Sequence, residues 1–353
     1  MGDDAIPGAS GSSLSAGAPL EAPPHHVGHR TITLVDHQRA GRVLAADIWY
    51  PAAASAAPPT VYDVFPGVSF TAATARHEAP AMSGQFPLVL MSHGRTGMRV
   101  SYSMLCDALA ARGAVVVSSD HPGDSLMDWL TGRHSDDRTN EVDRVADAHV
   151  VLHALLHGAP EVPVDVVNAI DHAQVVLAGH SYGAYTAFAT AAGSRGVEPH
   201  QRVRAVMGFQ PYTRTMSDGL LGRITVPSLL VVSLNDTVTP PHVDAERPWA
   251  LLRGRPAWRL DLEGAGHQAS SDISLYAELA HRVPQLPQLV RDYLMNAAAG
   301  SQGAAGRSWR QLLAVQLDAM WAFMQIVLEL DPDAGEAEAE RLQQEPGVVL
   351  HRR

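Results

Sequence analysis

The sequence predicts an α/β fold: a mostly parallel central sheet with helices on both faces and an antiparallel N-terminal hairpin. Two observations carry this expectation. From Phe86 onward short apolar runs alternate with helical segments, and the runs are continuous, as strands covered on both faces require. Before Phe86, Thr31–Val35 and Arg42–Tyr50 are β-like runs joined by a polar turn, the pattern of a hairpin.

Residues 1–28 are rich in Gly, Ala, Ser and Pro and are expected to form a disordered tail before a domain spanning 29–330. After the hairpin, Pro51–Pro59 leads into a poorly patterned loop through Gln85. PLVLMSHG reads as a buried strand and Tyr102–Arg112 as a helix. AVVVSSDHPG is a second strand, Glu141–His157 a second helix, and AQVVLAGHS a third strand running into a helix from Tyr182 to about Ala192. VRAVMGFQP, PSLLVVSLND and AWRLDLEGAGH supply three more strands.

Gly300–Gly306 reads as a linker before a last helix, Ser308–Leu330. Its Leu313, Leu317, Met320, Met324 and Val327 form an apolar stripe, broadened by Trp309, Trp321 and Phe323. Packing on the sheet is expected, with a lid, a dimer contact or a membrane-surface helix as alternatives. The segment 331–353 is expected to be an acidic, solvated, partly helical tail. No internal repeat is visible.

The chain has 353 residues, 46% hydrophobic and 18% charged, enough for one large domain plus tails. Net charge is −11, every basic residue is Arg, and no cluster is dense enough to follow a phosphate backbone. That composition argues against nucleic acid as a partner. The single cysteine, Cys106, forbids an intramolecular disulfide and fits a reducing compartment. It lies in SMLCDALAARG, a helical pattern, and reads as a buried structural residue. The start, MGDDAIPGASGSS, has neither the positive nor the apolar region of a secretory signal. With no uninterrupted apolar run of about 18 residues, no integral membrane association is expected, and the expected location is cytoplasmic.

The strongest chemical signal is Gly179-His180-Ser181-Tyr182-Gly183, a G-x-S-x-G sequence. It directly follows the strand VVLAG and opens the helix YGAYTAFATAAG, the context that gives it meaning. A serine on so tight a strand-to-helix turn is presented above the sheet edge, where the helix N-terminus favours developing negative charge. Serine hydroxyl is a weak nucleophile until a base takes its proton, so a histidine must stand beside it.

Among 18 histidines, chain order favours His267, in LEGAGHQAS just after the last of these strands. The carboxylate that would orient it is Asp236, in VVSLNDTVTPP; Asp244 and Asp261 are alternatives. Tyr182 would supply one oxyanion N–H, and the Arg95 amide in SHGRTG the other, with Thr96 as fallback. The Arg95 side chain either crosses the substrate mouth, selecting acidic substrates, or is simply exposed. His93 and His121 each end a strand at the same edge and read first as loop scaffolding; His121 also stands as a substrate-contact candidate. Tyr212, in GFQPYT, reads as a pocket wall or a structural tyrosine. His25-His26 has no partner at metal-ligand spacing, so no metal is expected.

SHGRTG, DHPGDS, GHSYGAYTA, SLNDTVTP and GAGHQAS, in this order, resemble bacterial relatives of dienelactone hydrolase and platelet-activating-factor acetylhydrolase. The early strand DIWYPA is similar to that group too. The stretch from GFQPYT through VPSLLVVSLND to LEGAGH also resembles the bacterial cutinase and polyester-hydrolase branch. The resemblance spans roughly 30–295. It implies an α/β-hydrolase fold, Ser181, Asp236 and His267 as a triad, Arg95 and Tyr182 as oxyanion donors, carboxylic esters as substrates and no cofactor.

The chain departs from these relatives in places. Ser181 stands where dienelactone hydrolases carry cysteine, Arg95 replaces the oxyanion aromatic of the polyester hydrolases, and Tyr212 replaces their pocket tryptophan. A small or lipid-like ester therefore fits better than a polymer. The expected function is a serine esterase working through an acyl-enzyme. An acyl transferase or cofactor-free perhydrolase on the same triad is one alternative, and a non-catalytic binding protein of hydrolase fold another. The expected partner is a small-molecule ester; a homodimer remains open.

Overall fold

Runs such as Leu88–Met91 and Val115–Val117 carry no polar side chain, so they belong where both faces of a sheet are covered. The structure, a computed structural model, describes residues 14–16, 20, 24–65, 68–283, 286–299 and 306–353. Its strands are β1 (Leu14–Ser15), β2 (His26–Asp36), β3 (Arg42–Ala52), β4 (Pro59–Phe65), β5 (Val68–His77), β6 (Phe86–Ser92), β7 (Val115–Ser119), β8 (Ile170–His180), β9 (Val203–Phe209), β10 (Ser228–Ser233), β11 (Ala257–Leu262) and β12 (Val348–Arg352). They form one sheet in the order β1-β5-β2-β3-β7-β6-β8-β9-β10-β11-β12, with β4 paired to β5. The six strands from β7 to β11 in that order run parallel. The β2–β3 hairpin and β12 flank them antiparallel.

The helices are α1 (Ser103–Arg112), α2 (Leu126–Leu130), α3 (Asp137–His157), α4 (Val164–Ala169), α5 (Tyr182–Ala192), α6 (Asp218–Leu221), α7 (Pro241–Asp244), α8 (Glu246–Leu251), α9 (Ile273–Ala280), α10 (Gln288–Ala299), α11 (Trp309–Val327) and α12 (Pro332–Leu342). Alternate strand residues enter two cores. Val89, Met91 and Val116 pack with Leu105 and Leu109 of α1 and with Leu317, Met320 and Phe323 of α11. Leu88, Leu90, Val115 and Val117 pack on the other face with Val145 and Leu152 of α3 and with Ala184 and Phe188 of α5. This is the α/β-hydrolase arrangement, and it lines up the carboxyl ends of β6, β8, β10 and β11 at one edge. None of the described helices is long and apolar enough to cross a membrane.

Three segments differ from the sequence reading. The stretch read as a loop through Gln85 contains the β4–β5 hairpin, whose inward residues Tyr62, Phe70, Ala72 and Ala75 are buried. Small Ala and Thr residues there blur the two-residue period. The segment 331–353 is no solvated tail: α12 packs on α11, Ala339 and Leu342 are buried, and β12 pairs along β11. Its apolar residues are too few and too widely spaced among acidic ones to announce this. At the N-terminus, Leu14–Ser15 pairs with Phe70–Thr71 and Val27 is buried in β2, so order begins inside the expected tail. Residues 1–13, and residues 300–305 of the linker read at Gly300–Gly306, lie outside the described residues.

Candidate active site

Ser181 joins β8 directly to α5 with φ 54° and ψ −119°, a backbone conformation disfavoured for any residue with a Cβ. The turn closes because its neighbours are bare. A Cβ on Gly183 would fall 2.0 Å from the Ser92 carbonyl oxygen of β6, and one on Gly179 would fall 2.2 Å from the Gly183 backbone. The strain is held by the flanking elements: Ser181 N–H donates to Phe209 O at 2.9 Å, and Tyr212 N–H donates to Ser181 O at 3.0 Å.

His267, in the loop after β11, brings Nε2 to 3.0 Å from Ser181 Oγ. Its Nδ1 lies 2.8 Å from Oδ2 of Asp236, which follows β10. The other carboxylate oxygen of Asp236 accepts N–H bonds from Val238 (2.8 Å) and Thr239 (2.9 Å), and Thr239 Oγ1 lies 2.7 Å from Oδ2. Burial alone would raise the Asp236 carboxyl. The hydrogen bond and charge of His267, with the Thr239 bonds, outweigh it and hold the group below the usual carboxylate range. Asp244 and Asp261 are occupied elsewhere: Asp244 binds Thr213 N–H at 2.9 Å and Arg214 Nε at 3.0 Å, and Asp261 pairs with Arg259 at 2.6 Å.

Ser181 and His267 open onto a cavity of about 450 Å³, together with Gly94, Arg95 and Thr96 from the loop after β6. Leu126, Trp129 and Leu130 form one apolar wall; Ile273, Leu289, Val290 and Leu294 form another. The Arg95 guanidinium lies 2.7 Å from Asp137 and 4.7 Å over the Tyr182 ring, so its charge is already matched at the rim. Buried Arg144 fixes the loop from beneath, bonding Asp124 at 2.8 Å, Thr186 at 2.9 Å and the His93 carbonyl.

Neither substrate-contact candidate lines the cavity, and Asp236 and Tyr182 stand behind its lining as well. Tyr212 packs edge-on against Tyr182, ring centroids 5.5 Å apart, and does not line the pocket. It acts there through its backbone bond to Ser181. His121 is fully buried, its Nδ1 3.0 Å from Asp147 and its N–H bonded to His93 Nε2 at 3.2 Å, so no substrate reaches it. Burial and nearby Arg144 push its pKa down to about 4, so it is a neutral scaffold. The sequence reading missed Tyr102, Thr239, Arg144 and the α10 wall. Of these, α10 had a visible signal in Leu289, Val290, Tyr293 and Leu294, a helical one-sided spacing.

The fold is that of the α/β-hydrolases, which the comparisons with known proteins match. The chlorophyllase family model matches residues 71–231. Among solved structures the chain is similar to the ferulic acid esterase from Streptomyces cinnamoneus, at 22% identity and a TM-score of 0.65, over 89% of this chain and 93% of that one.

Proposed function

We propose that the chain hydrolyses uncharged carboxylic esters with a small or lipid-like apolar part, through an acyl-enzyme on Ser181. The observation that carries this is the hydrogen-bonded line from Asp236 to His267 Nδ1 (2.8 Å) and from His267 Nε2 to Ser181 Oγ (3.0 Å). Asp236 keeps the His267 proton on Nδ1, leaving Nε2 free to take the serine proton as Oγ attacks the ester carbonyl. The Tyr182 N–H, at the start of α5, and the Arg95 N–H receive the developing oxyanion, with Thr96 as the alternative donor. The imidazolium of His267 is stabilised by Asp236 and protonates the departing alcohol. Water then attacks the acyl-enzyme with His267 again as base, returning Ser181 and releasing the acid.

The substrate class follows from the walls. Leu126, Trp129, Ile273 and Leu294 offer apolar surface, and Arg95, the one Arg among the described lining residues, is matched by Asp137. The esterase named in the matched structure supports ester over amide. A reducing, cytoplasmic setting belongs to the same proposal, supported by the single, buried Cys106, whose thiol burial pushes well up. The test is hydrolysis of p-nitrophenyl esters of increasing acyl length by native protein and Ser181→Ala. Turnover lost in Ser181→Ala, with preference rising as the acyl chain fills the cavity, supports the reading. Equal turnover by Ser181→Ala overturns it.

A further inference from the structure

Three segments at the catalytic edge are joined by two buried side chains that take no direct part in the chemistry above. Gly94 N–H lies 3.3 Å from Tyr102 Oη, Tyr102 Oη lies 2.8 Å from His180 Nδ1, and His180 Nε2 lies 2.7 Å from the His267 carbonyl oxygen. One proton arrangement satisfies every atom. A carbonyl only accepts, so His180 donates from Nε2; its Nδ1 then accepts from the Tyr102 hydroxyl, whose oxygen accepts from Gly94. Burial, then the neighbouring His267 charge, push the His180 pKa down to about 3, so the ring stays neutral at ordinary pH.

We infer that Tyr102 and His180 are positioning residues, which hold the oxyanion loop and the backbone of His267 at a fixed distance from the nucleophile. This rests on the proposed roles of Ser181 and His267. The loop carrying His267 reads Gly264-Ala265-Gly266-His267-Gln268-Ala269, with little side-chain mass to pack it in place. Asn235 N–H binds Ala265 O at 2.9 Å and Gln316 binds Ala269 O at 2.9 Å, one on either side. The His180 bond acts on residue 267 itself. On the other side, Gly94 approaches so closely that a Cβ there would lie 3.3 Å from Ser181 Cβ, and Tyr102 holds its N–H. Misplacement of a reacting group by about an ångström costs on the order of a hundredfold in rate, so this link bears on kcat more than on binding.

The test is steady-state hydrolysis of p-nitrophenyl acetate by native protein, Tyr102→Phe, His180→Leu, His180→Gln and Ser181→Ala, with thermal unfolding recorded for each. Tyr102→Phe and His180→Leu are expected to lower kcat about ten- to a hundredfold while KM stays within about twofold. His180→Gln, whose amide N–H reaches toward the His267 carbonyl, is expected to recover several-fold of the kcat lost in His180→Leu. The inference is overturned if folded Tyr102→Phe keeps native kcat while Ser181→Ala is inactive, or if the Gln and Leu variants, both folded, lose equal activity. If His180→Leu does not fold, Tyr102→Phe decides, a native kcat in that variant overturning the inference. Native activity in Ser181→Ala instead overturns the assignment of the nucleophile.

Discussion

Thr239 Oγ1 lies 2.7 Å from Asp236 Oδ2 and 3.2 Å from His267 Nδ1, within reach of both partners of the orienting hydrogen bond. The same hydroxyl lies 3.0 Å from the Gln210 carbonyl oxygen. Thr239→Val keeps the side-chain shape and the backbone N–H bond to Asp236 but removes this hydroxyl. A hydrogen bond to a charged group contributes about 1.5–3 kcal/mol, so kcat is expected to fall about tenfold or more with KM little changed. Native kcat in Thr239→Val would separate the hydroxyl from the orientation of His267.

Gly183→Ala tests the tight turn at Ser181. The new methyl would lie 2.0 Å from the Ser92 carbonyl oxygen, a rigid backbone atom at the end of β6. Overpacking of this kind costs about 1–3 kcal/mol or more, and the nearest relief moves Ser181. Chemical denaturation is expected to show a lower midpoint, and esterase assays a large loss of kcat. A variant with native midpoint and native kcat would mean that the turn relaxes freely.

Asp272 gives a pH dependence of stability. Its Oδ2 accepts from Ser103 Oγ at 2.7 Å and Met104 N at 3.3 Å, while Oδ1 is buried with no hydrogen bond among the described residues. Burial raises its pKa to about 7 against the lowering effect of those two bonds. The folded state therefore holds a proton that the unfolded chain releases near its ordinary value of 3.8. The stability this group supplies is present in full below that lower value and is lost as pH rises through about 7. Asp272→Asn cannot titrate. Between pH 4 and 8 the native protein is expected to lose on the order of a few kcal/mol relative to the variant, read from urea unfolding at each pH. A difference that does not change with pH would show the carboxyl to be solvated in the folded protein.

Leu294 tests the apolar wall formed by α10. It lines the cavity beside Val290, and both also pack against the buried Ala280, Val283 and Leu286. Leu294→Ser removes apolar surface worth about 25 cal/mol per Å² covered by substrate. KM for an octanoyl ester is expected to rise several-fold, with the acetyl ester little affected. A uniform change across chain lengths would place the acyl chain elsewhere.

The parts of the fold and site that could be read from sequence share one property: their signal is local. Continuous runs such as Val115–Val117 mark central strands, and Gly179–Gly183 compresses strand end, candidate nucleophile and helix start into five residues. Asp236 and His267 follow β10 and β11 directly, so finding those strands located both candidates. What escaped depends on distant partners. Arg144 lies inside an ordinary helical pattern, and its role appears only when Asp124, Thr186 and His93 close around it. Tyr102 and His180 are 78 residues apart. Tyr212 and His121 erred the other way: each follows a strand at the right edge, but Tyr212 turns onto Tyr182 and His121 onto Asp147. The β4–β5 hairpin and β12 were hidden because Ala, Thr and Arg residues dilute their alternation.

The most direct test of the account is the site of covalent capture. Native protein is treated with a fluorophosphonate, digested, and the modified peptide located by mass spectrometry. One adduct is expected, on Ser181, formed together with loss of esterase activity, absent from Ser181→Ala and strongly slowed in His267→Ala. An adduct on another residue with activity lost, or undiminished capture by Ser181→Ala, would contradict it.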